Sequence, residues 1–348
     1  MTAARQSPLR AQGEILLSSH HAAAEGGAGA DRVSWLAERR SGIGASDVAA
    51  IVGTSPWTSP WALWADKVGL IPLDDKDATT PAMRLGLGLE PLIARWFHDD
   101  TGLHVAGEQT FVRHRRAAHH FATLDGFVLD APDDAVGDAL GVFEAKYTAD
   151  AWDDLPAHYA DQVQWQMHCS GLPHAWVAAL QLPFGRPRFV VKEIAPDKAR
   201  IDELVAKVDT FWHDHVLTGK APPADDHPST TAAITAAWGH LDSAKREAVD
   251  FGELRDVVDE LADLRARRAA IAKLIERREN TVKAHFGRMA EVLDEARSEG
   301  VIDGDLVVSW RARQRCDIDA AAVRADHGDR YDRHTTSRVL LLHGRRAP

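Results

Sequence analysis

A carboxylate and an amine stand two residues apart in the segment FEAKYT. Residues i and i+2 of a β-strand point to the same face, so Glu144 and Lys146 share one side of the strand that this segment predicts. Phe143, Ala145 and Tyr147 then form the other side, which has the composition of a core face. An ion pair on a solvated strand is the alternative explanation, since exposed pairs of this kind are common and weak.

An upstream carboxylate joins this pair in a predicted hairpin, whose first strand spans residues 121–129. Asp125 precedes a glycine in FATLDGFVLD and lies 19 residues before Glu144 (144 − 125), a separation that suits an antiparallel hairpin through APDDAVGD. Two neighbouring carboxylates repel each other unless a cation neutralises them, and hard oxygen ligands favour Mg²⁺ or Mn²⁺ over zinc. Lys146 would then orient an attacking water or stabilise negative charge on a phosphate.

Two predicted helices offer further polar groups. GLGLEPLIARWF predicts a helix with Glu90 near its first turn. The helix dipole alone favours a carboxylate there, so this explanation and a metal-ligand role both stay open. In YADQVQWQMHCSG, Gln162 and Gln166 share a helical face at i, i+4, either as surface residues or as hydrogen-bond partners of a phosphate and its water.

The composition is that of a globular chain of 348 residues, 45% hydrophobic and 27% charged. No apolar run approaches the roughly 20 residues of a membrane helix, and the first residues show no secretion signal. Two cysteines, Cys169 and Cys316, exclude a four-cysteine metal site drawn from this chain and favour a cytoplasmic setting. With a net charge of −11, a nucleic-acid partner would have to be held by a local basic groove or by bound cations.

The order of the predicted elements divides the chain into four parts. Residues 1–30 are rich in Ala, Gly and Ser and are predicted to be disordered. Residues 31–218 predict a mixed α and β domain, 219–230 a linker, and 231–348 a helical arm with two C-terminal strands, GDLVVSWRARQR and TTSRVLLLHGRR. Imperfect heptads over residues 244–297 predict an antiparallel helical hairpin or a coiled-coil arm.

The order of the motifs resembles that of the PD-(D/E)XK nucleases, and within them the phage λ exonuclease-like, YqaJ-type viral recombinases. Asp125 before a glycine, Glu144-x-Lys146, and Gln162-Val-Gln164 on the next helix follow one another as in that family. TLDG lacks the proline that the superfamily name places before the aspartate.

The N-terminal segment SWLAERRSGIGASDVAAIVGTSPWTSPWALWADKVGL is similar to the opening block of the same family. The Trp, Arg and Ser of its phosphate-binding corner fall on Trp35, Arg39 and Ser46, with Arg40 as the alternative arginine. GLGLEPLIARWF resembles the second block, with Glu90 as its acidic residue.

The resemblance covers about residues 34–215 and implies an α+β fold: an α/β/α restriction-endonuclease-like core with a mixed sheet, followed by a mainly α-helical C-terminal region. It implies a Mg²⁺- or Mn²⁺-dependent nuclease acting on double-stranded DNA, most closely a phage-type 5′→3′ exonuclease of recombination or repair. It also implies a single-strand annealing protein as partner and leaves open whether the chain forms a homo-oligomer. The implied setting is the cytoplasm of a bacterial host of a phage or prophage. The alternatives are a structure-specific or restriction-type endonuclease on the same fold, and a non-catalytic DNA-binding module.

The same resemblance implies a role for each site residue. Asp125 and Glu144, with the Ala145 carbonyl, would hold the metal ion, with Glu90 as a helper ligand. The remaining roles are nucleophile positioning by Lys146, orientation of water or phosphate by Gln162, and phosphate binding by Arg39 and Ser46.

Overall fold

In a computed structural model of the chain, the described residues are 13–16, 37–71, 80–239, 252–293, 299–302, 306–309, 320–327 and 330. They fall into two compact units, residues 1–241 and 242–348. No described helix is long and apolar enough to cross a membrane.

The first unit combines strands and helices along the chain. Its described strands are β1 (Gly13–Leu16), β2 (His104–Ala106), β3 (Thr110–His114), β4 (Phe121–Leu124), β5 (Gly126–Leu129), β6 (Gly141–Thr148), β7 (Ala175–Gln181) and β8 (Arg188–Ile194). Its described helices include α1 (Ala45–Ile51), α2 (Pro60–Lys67), α3 (Pro81–Thr101), α4 (Ala157–Ser170), α5 (Lys198–Thr210) and α6 (Pro228–Trp238).

The central sheet has the strand order β2-β5-β6-β7-β8. The β6–β7 pair is parallel and the other three pairs are antiparallel, which confirms the predicted mixed sheet. The predicted hairpin is the β5–β6 pair, in which Gly126 lies opposite Phe143. This register places Asp125, the residue before Gly126, next to Glu144.

Helices cover both faces of β6. Phe143 and Ala145 pack in one cluster with Ile93 of α3, whereas Val142 packs in the other with Val163 of α4. The α/β/α layering predicted for the core is therefore present. Since side chains alternate along a strand, Glu144 and Lys146 lie on the α4 side of the sheet.

One predicted strand, residues 121–129, is two strands in the structure. β4 pairs with β3 in a small antiparallel sheet, and β5 pairs with β2 and β6 in the central sheet. Asp125 is the residue between them. A side chain at Gly126 would place its Cβ 2.6 Å from Val105 Cγ1, so the close approach of β2 requires glycine there.

β1 lies in the segment predicted to be disordered. Its four residues pair antiparallel with β3, with Gly13 opposite His114. A Cβ at Gly13 would meet the Cys169 carbonyl oxygen at 3.1 Å, which shows how closely the strand approaches α4. The prediction is wrong for residues 13–16, and the rest of the segment lies outside the described residues.

Helix ends follow local capping rules. α2 begins after Ser59, whose hydroxyl accepts a hydrogen bond from the Ala62 amide at 3.0 Å. α4 ends at Gly171, which adopts φ 74°. α3 begins at Pro81, nine residues before Glu90, because the Thr80 hydroxyl accepts a hydrogen bond from the Met83 amide. The dipole explanation for Glu90 therefore fails.

The first unit extends beyond the predicted boundary at residue 218. The Ser59 amide donates to Ser229 Oγ at 2.9 Å, and the Trp61 and Trp238 rings lie 5.7 Å apart. α6 therefore packs against α2, and the predicted linker 219–230 lies inside this unit.

The second unit contains α7 (Arg255–Leu293), β9 (Glu299–Ile302), β10 (Leu306–Ser309) and α8 (Ala320–His327). α7 is one continuous helix of 39 residues, so its residues form no hairpin. Many of its apolar side chains, Ile271 and Val282 among them, are exposed. β10 overlaps the first predicted C-terminal strand and pairs with β9, and the second, TTSRVLLLHGRR, lies outside the described residues.

Candidate active site

All eight predicted site residues line a single pocket of about 230 Å³ at the end of β4 and along β6. They are Arg39, Ser46, Glu90, Asp125, Glu144, Ala145, Lys146 and Gln162. Trp35, the first residue of the predicted phosphate-binding corner, lies outside the described residues.

Asp125 is held in place by β6, the second strand of the hairpin. Its Oδ2 accepts a hydrogen bond from the Ala145 amide at 2.9 Å. This bond uses one carboxylate oxygen and leaves Oδ1 near the Gln109 amide, at 3.4 Å. The turn between the two sheets thus holds Asp125 against the middle of β6.

Glu144 is 1% exposed, so the solvated-strand explanation of the Glu144–Lys146 pair is wrong. Its Oε1 accepts from the Lys146 ammonium and from Gln162 Nε2, the latter at 2.6 Å. Its Oε2 accepts from Gln166 Nε2 at 2.6 Å. A buried carboxylate needs such partners because burial strongly disfavours an uncompensated charge.

The pocket concentrates negative charge that its protein partners do not balance. Burial, followed by the charges of Glu144 and Glu90, raises the pKa of Asp125 well above its usual range. Burial, with the nearby charge of Glu144, raises the pKa of Glu90 to about 7 despite a hydrogen bond from Gln109. Raised pKa values of neighbouring carboxyls are the signature of a site that favours protons or a bound cation.

Lys146 supplies the positive charge next to these carboxylates. Burial acts to lower its pKa, but Glu144 and Asp125 outweigh burial and raise the pKa above the usual value. The ammonium also lies 4.7 Å from the centre of the Tyr159 ring. Lys146 is therefore a protonated hydrogen-bond donor at neutral pH.

Gln109 is a site residue that the sequence did not reveal. Its side-chain amide donates to Glu90 Oε2 at 2.9 Å and approaches Asp125, so it bridges α3 and the β4–β5 turn. Its backbone adopts φ 52°, an uncommon value for a residue with a side chain. Nothing in its sequence context, a polar residue before a strand, separates it from an ordinary loop glutamine.

Helix α4 presents two glutamines to Glu144. Gln162 and Gln166 both donate to its carboxylate, and Gln162 Oε1 also accepts from Lys146 at 3.3 Å. The buried Oε1 of Gln166 has no hydrogen-bond partner among the described residues. Gln164 instead binds the Ala195 carbonyl and the Asp197 amide, so it anchors the loop before α5.

The predicted phosphate-binding corner lies on the α1 side of the pocket. Arg39 Nη2 donates to Ser46 Oγ at 3.0 Å and approaches Asp47 Oδ1 at 3.4 Å. Lys67 Nζ donates to Asp47 Oδ2 at 2.7 Å and to the Arg39 carbonyl at 2.6 Å, so a buried pair holds the backbone of Arg39.

The structure separates the two candidate arginines. Arg40 donates to Asp66 Oδ1 at 2.8 Å and to the Ile71 carbonyl at 2.7 Å, and it does not line the pocket. Arg39 does line it. Arg39 is therefore the arginine of the pocket, because the side chain of Arg40 is held by Asp66 and Ile71.

The chain is similar in sequence to proteins of one family. Residues 34–173 match the sequence profile of the YqaJ-like viral recombinase domain. The uncharacterized protein YqaJ of Bacillus subtilis (strain 168) is 30% identical over 226 residues, which cover 63% of this chain and 67% of that protein.

Two solved structures overlap part of the chain. The alkaline exonuclease LHK-Exo from Laribacter hongkongensis is 21% identical over 54% of this chain and 94% of its own, with a TM-score of 0.39. LHK-Exo in complex with dAMP gives the same identity and coverage, with a TM-score of 0.40. These structural similarities are too limited to support a conclusion about function.

Proposed function

We propose that this chain, which belongs to the YqaJ-like viral recombinase family, is a metal-dependent deoxyribonuclease that hydrolyses phosphodiester bonds. One observation carries the proposal. Asp125, Glu144 and Lys146 converge in a buried pocket whose carboxylates exceed its positive charges. A structural ion pair would not need three carboxylates around one lysine.

The donor set fits a hard divalent cation. Asp125 and Glu144, with the Ala145 carbonyl, would hold Mg²⁺ or Mn²⁺, and Glu90 would assist directly or through water. The fit rests on the chemistry of the donors, because oxygen ligands suit these ions and the raised pKa values of Asp125 and Glu90 mark carboxyls that lack a compensating charge. A bound cation would polarise the scissile phosphate and lower the pKa of the attacking water.

The residues of the chain supply positioning and charge stabilisation. Lys146, whose ammonium donates to Glu144, would donate to the attacking water or to the phosphate oxygens. Gln162, hydrogen-bonded to both Glu144 and Lys146, would orient the water or the phosphate. Gln166 would keep the Glu144 carboxylate in place.

The Arg39–Ser46 corner would bind a second phosphate of the DNA. A guanidinium and a hydroxyl are common phosphate ligands, and both line the same pocket as the carboxylates. A phosphate held beside the cleavage centre suits an enzyme that measures its cut from a DNA end. We therefore propose 5′→3′ exonuclease action on double-stranded DNA, in phage-type recombination or repair in a bacterial cytoplasm, with a single-strand annealing protein as partner.

Incubation with labelled DNA tests this function. The substrates are a 5′-phosphorylated linear duplex and a closed-circular duplex, each with Mg²⁺ or with EDTA. We expect progressive release of nucleotides from the linear duplex, in Mg²⁺ only. Cleavage of the circle would favour the endonuclease alternative, and retarded DNA without cleavage in any metal would overturn the nuclease proposal in favour of a binding module.

A further inference from the structure

A second group of titratable side chains lies apart from the residues that line the pocket. His114 ends β3, His120 precedes β4, and His168 lies in the last turn of α4. Asp209 of α5 contacts His120 from the other side. These four residues are called the histidine cluster below.

The three imidazoles are close enough to share one ion. One ring nitrogen from each of them lies within 4.8 Å of the other two. His120 Nδ1 and His168 Nε2 are 3.1 Å apart. Two imidazole nitrogens on a tetrahedral zinc are about 3.3 Å apart, from Zn–N bonds of about 2.0–2.1 Å. Two of the three nitrogens therefore already have the required separation.

Asp209 fixes the tautomer of the central ring. Its Oδ1 lies 2.9 Å from His120 Nε2 and accepts a hydrogen bond from the N–H at that nitrogen. His120 Nδ1 is then the nitrogen with the lone pair, and it faces His168. A carboxylate behind a histidine is the usual outer partner of a metal-bound imidazole.

His114 provides an independent sign of a missing partner. Its Nδ1 is buried and has no hydrogen-bond partner among the described residues. Buried polar atoms are almost always paired, so an unpaired ring nitrogen next to two other imidazoles needs an explanation. Its ring lies parallel to that of His168, with centroids 4.6 Å apart, so the half-buried His114 ring would have to turn for its nitrogen to face an ion held by the other two rings.

We infer that the histidine cluster is a binding site for a divalent transition metal, most suitably Zn²⁺, with His114, His120 and His168 as ligands and Asp209 as the outer partner of His120. Imidazole ligands suit zinc, whereas the oxygen ligands of the pocket suit Mg²⁺ or Mn²⁺. The two sites therefore select different ions, and the inference does not depend on the proposed nuclease function.

The protonation of the cluster suits this role. Burial, the largest cause, lowers the pKa of His120 to about 4 and that of His168 to about 3. Burial and the charge of Arg116 also lower the pKa of His114. The rings are neutral at pH 7, so an incoming cation displaces no imidazolium protons.

A metal ion here would join three elements. His114 and His120 flank the β3–β4 connection, and His168 lies on α4, the helix whose Gln162 and Gln166 hold Glu144. The ion would brace α4 against the strands that lead to Asp125. We therefore assign it a structural role, with a positioning effect on the pocket.

Metal binding to the tag-free full-length chain tests the inference. Excess Mg²⁺ is present to fill the carboxylate pocket, and Zn²⁺ or Co²⁺ is titrated by calorimetry, with the visible spectrum of Co²⁺ reporting nitrogen ligation. We expect one tightly bound ion that survives Asp125→Asn and is lost in His168→Ala and in His114→Ala. Asp209→Asn should weaken binding about 10–100-fold.

Two variants serve as controls, and the fold of each protein is checked by circular dichroism without added metal. His98→Ala removes one ring of the His98–His104 pair, whose centroids are 4.5 Å apart, and should bind as the wild type does. His119→Ala removes another partner of Asp209 and should retain the ion. Absence of a tight ion in the wild type, its retention in a folded His114→Ala or His168→Ala protein, or its loss in His119→Ala would each overturn the proposed site.

Discussion

At the scale of single residues, the main feature of the pocket is the repulsion between its carboxylates. Glu90 and Asp125 both have raised pKa values because they are buried beside Glu144. Lys146 offsets only part of this repulsion. A site with such repulsion in the metal-free protein would gain stability when a cation binds, so we expect carboxylates that are costly to the fold to be needed for the proposed activity.

Glu90→Gln should change how the stability of the metal-free protein depends on pH. A carboxyl whose pKa rises from 4.5 to about 7 on folding binds more protons in the folded state. Its raised pKa therefore makes the folded state less stable as pH rises from about 4.5 through about 7. We expect Glu90→Gln to raise Tm by a few degrees at pH 8 and to change it little at pH 5.

Thermal melts in EDTA at the two pH values measure this effect. Asp99→Asn is the matched control, because it removes an exposed carboxylate from the same helix. An equal shift at both pH values, or the same shift in the control, would contradict the assigned origin of the repulsion.

Arg39→Ala should reduce cleavage of a 5′-phosphorylated duplex more than cleavage of a 5′-hydroxyl duplex. The guanidinium is the proposed partner of the terminal phosphate, and a hydrogen bond to a charged group is worth about 1.5–3 kcal/mol, or roughly 10–100-fold in rate. Initial rates on the two substrates give the ratio. Arg40→Ala should lower Tm and leave the ratio unchanged, because Arg40 binds Asp66 and the Ile71 carbonyl. Equal losses on both substrates would remove Arg39 from end recognition.

At the scale of elements, local rules predicted most of what positions the site. Period-two alternation identified the face of β6 that Glu144 and Lys146 share. The hairpin that joins Asp125 to Glu144 followed from their spacing and an intervening turn segment.

The failures of prediction have a common physical cause: contacts between residues distant in sequence. The predicted strand 121–129 is divided at Asp125 because β4 and β5 pair with strands of two different sheets. The short segment itself does not specify those partner strands. Gln109 gains its role only where α3 and the β4–β5 turn meet. The sequence left open whether Gln166 is a surface residue, because its hydrogen bond to Glu144 depends on how α4 packs on β6.

Gln166→Ala should lower both cleavage and apparent metal affinity. The variant removes the donor to Glu144 Oε2, so the buried carboxylate loses the bond that orients it. Gln164→Ala, two residues away on the same helix, removes contacts to Ala195 and Asp197 and should lower Tm without changing metal affinity. Mn²⁺ titration by calorimetry, with a melt of each variant, separates the two effects. Identical behaviour of the pair would mean that Gln166 only supports the helix.

At the scale of the whole molecule, charge and exposed surface distinguish the two units. The chain carries a net charge of −11, yet residues 265–288 of α7 include eight basic and two acidic residues. Their helix is largely exposed, with apolar side chains such as Ile271 also uncovered. The first unit contains every residue of the pocket, so we propose that the second contributes to assembly, partner binding or the grip on long DNA.

Truncation after Leu241 should leave a folded protein that cleaves short duplexes and loses activity on long ones as salt increases. Truncation after Gly219 should melt several degrees lower, because it removes α6 and the contact between Trp61 and Trp238. The two truncated proteins are compared by thermal melts and by their rates of cleavage of short and long duplexes at two salt concentrations. An inactive or insoluble chain ending at Leu241 would show that the second unit is needed by the nuclease core.

The most direct test of the central claim compares the wild type with Glu144→Gln. Glutamine keeps the size of Glu144 but removes its charge and one of its two acceptor oxygens, so thermal melts check that the fold persists. Release of nucleotides from a linear 5′-phosphorylated duplex is measured in Mg²⁺, with equal protein and with the melts of both proteins matched. We expect metal-dependent release by the wild type and a loss of at least about 100-fold in the variant, on the scale of one lost charge-stabilising group. Undiminished release by folded Glu144→Gln would show that the pocket is not the catalytic centre.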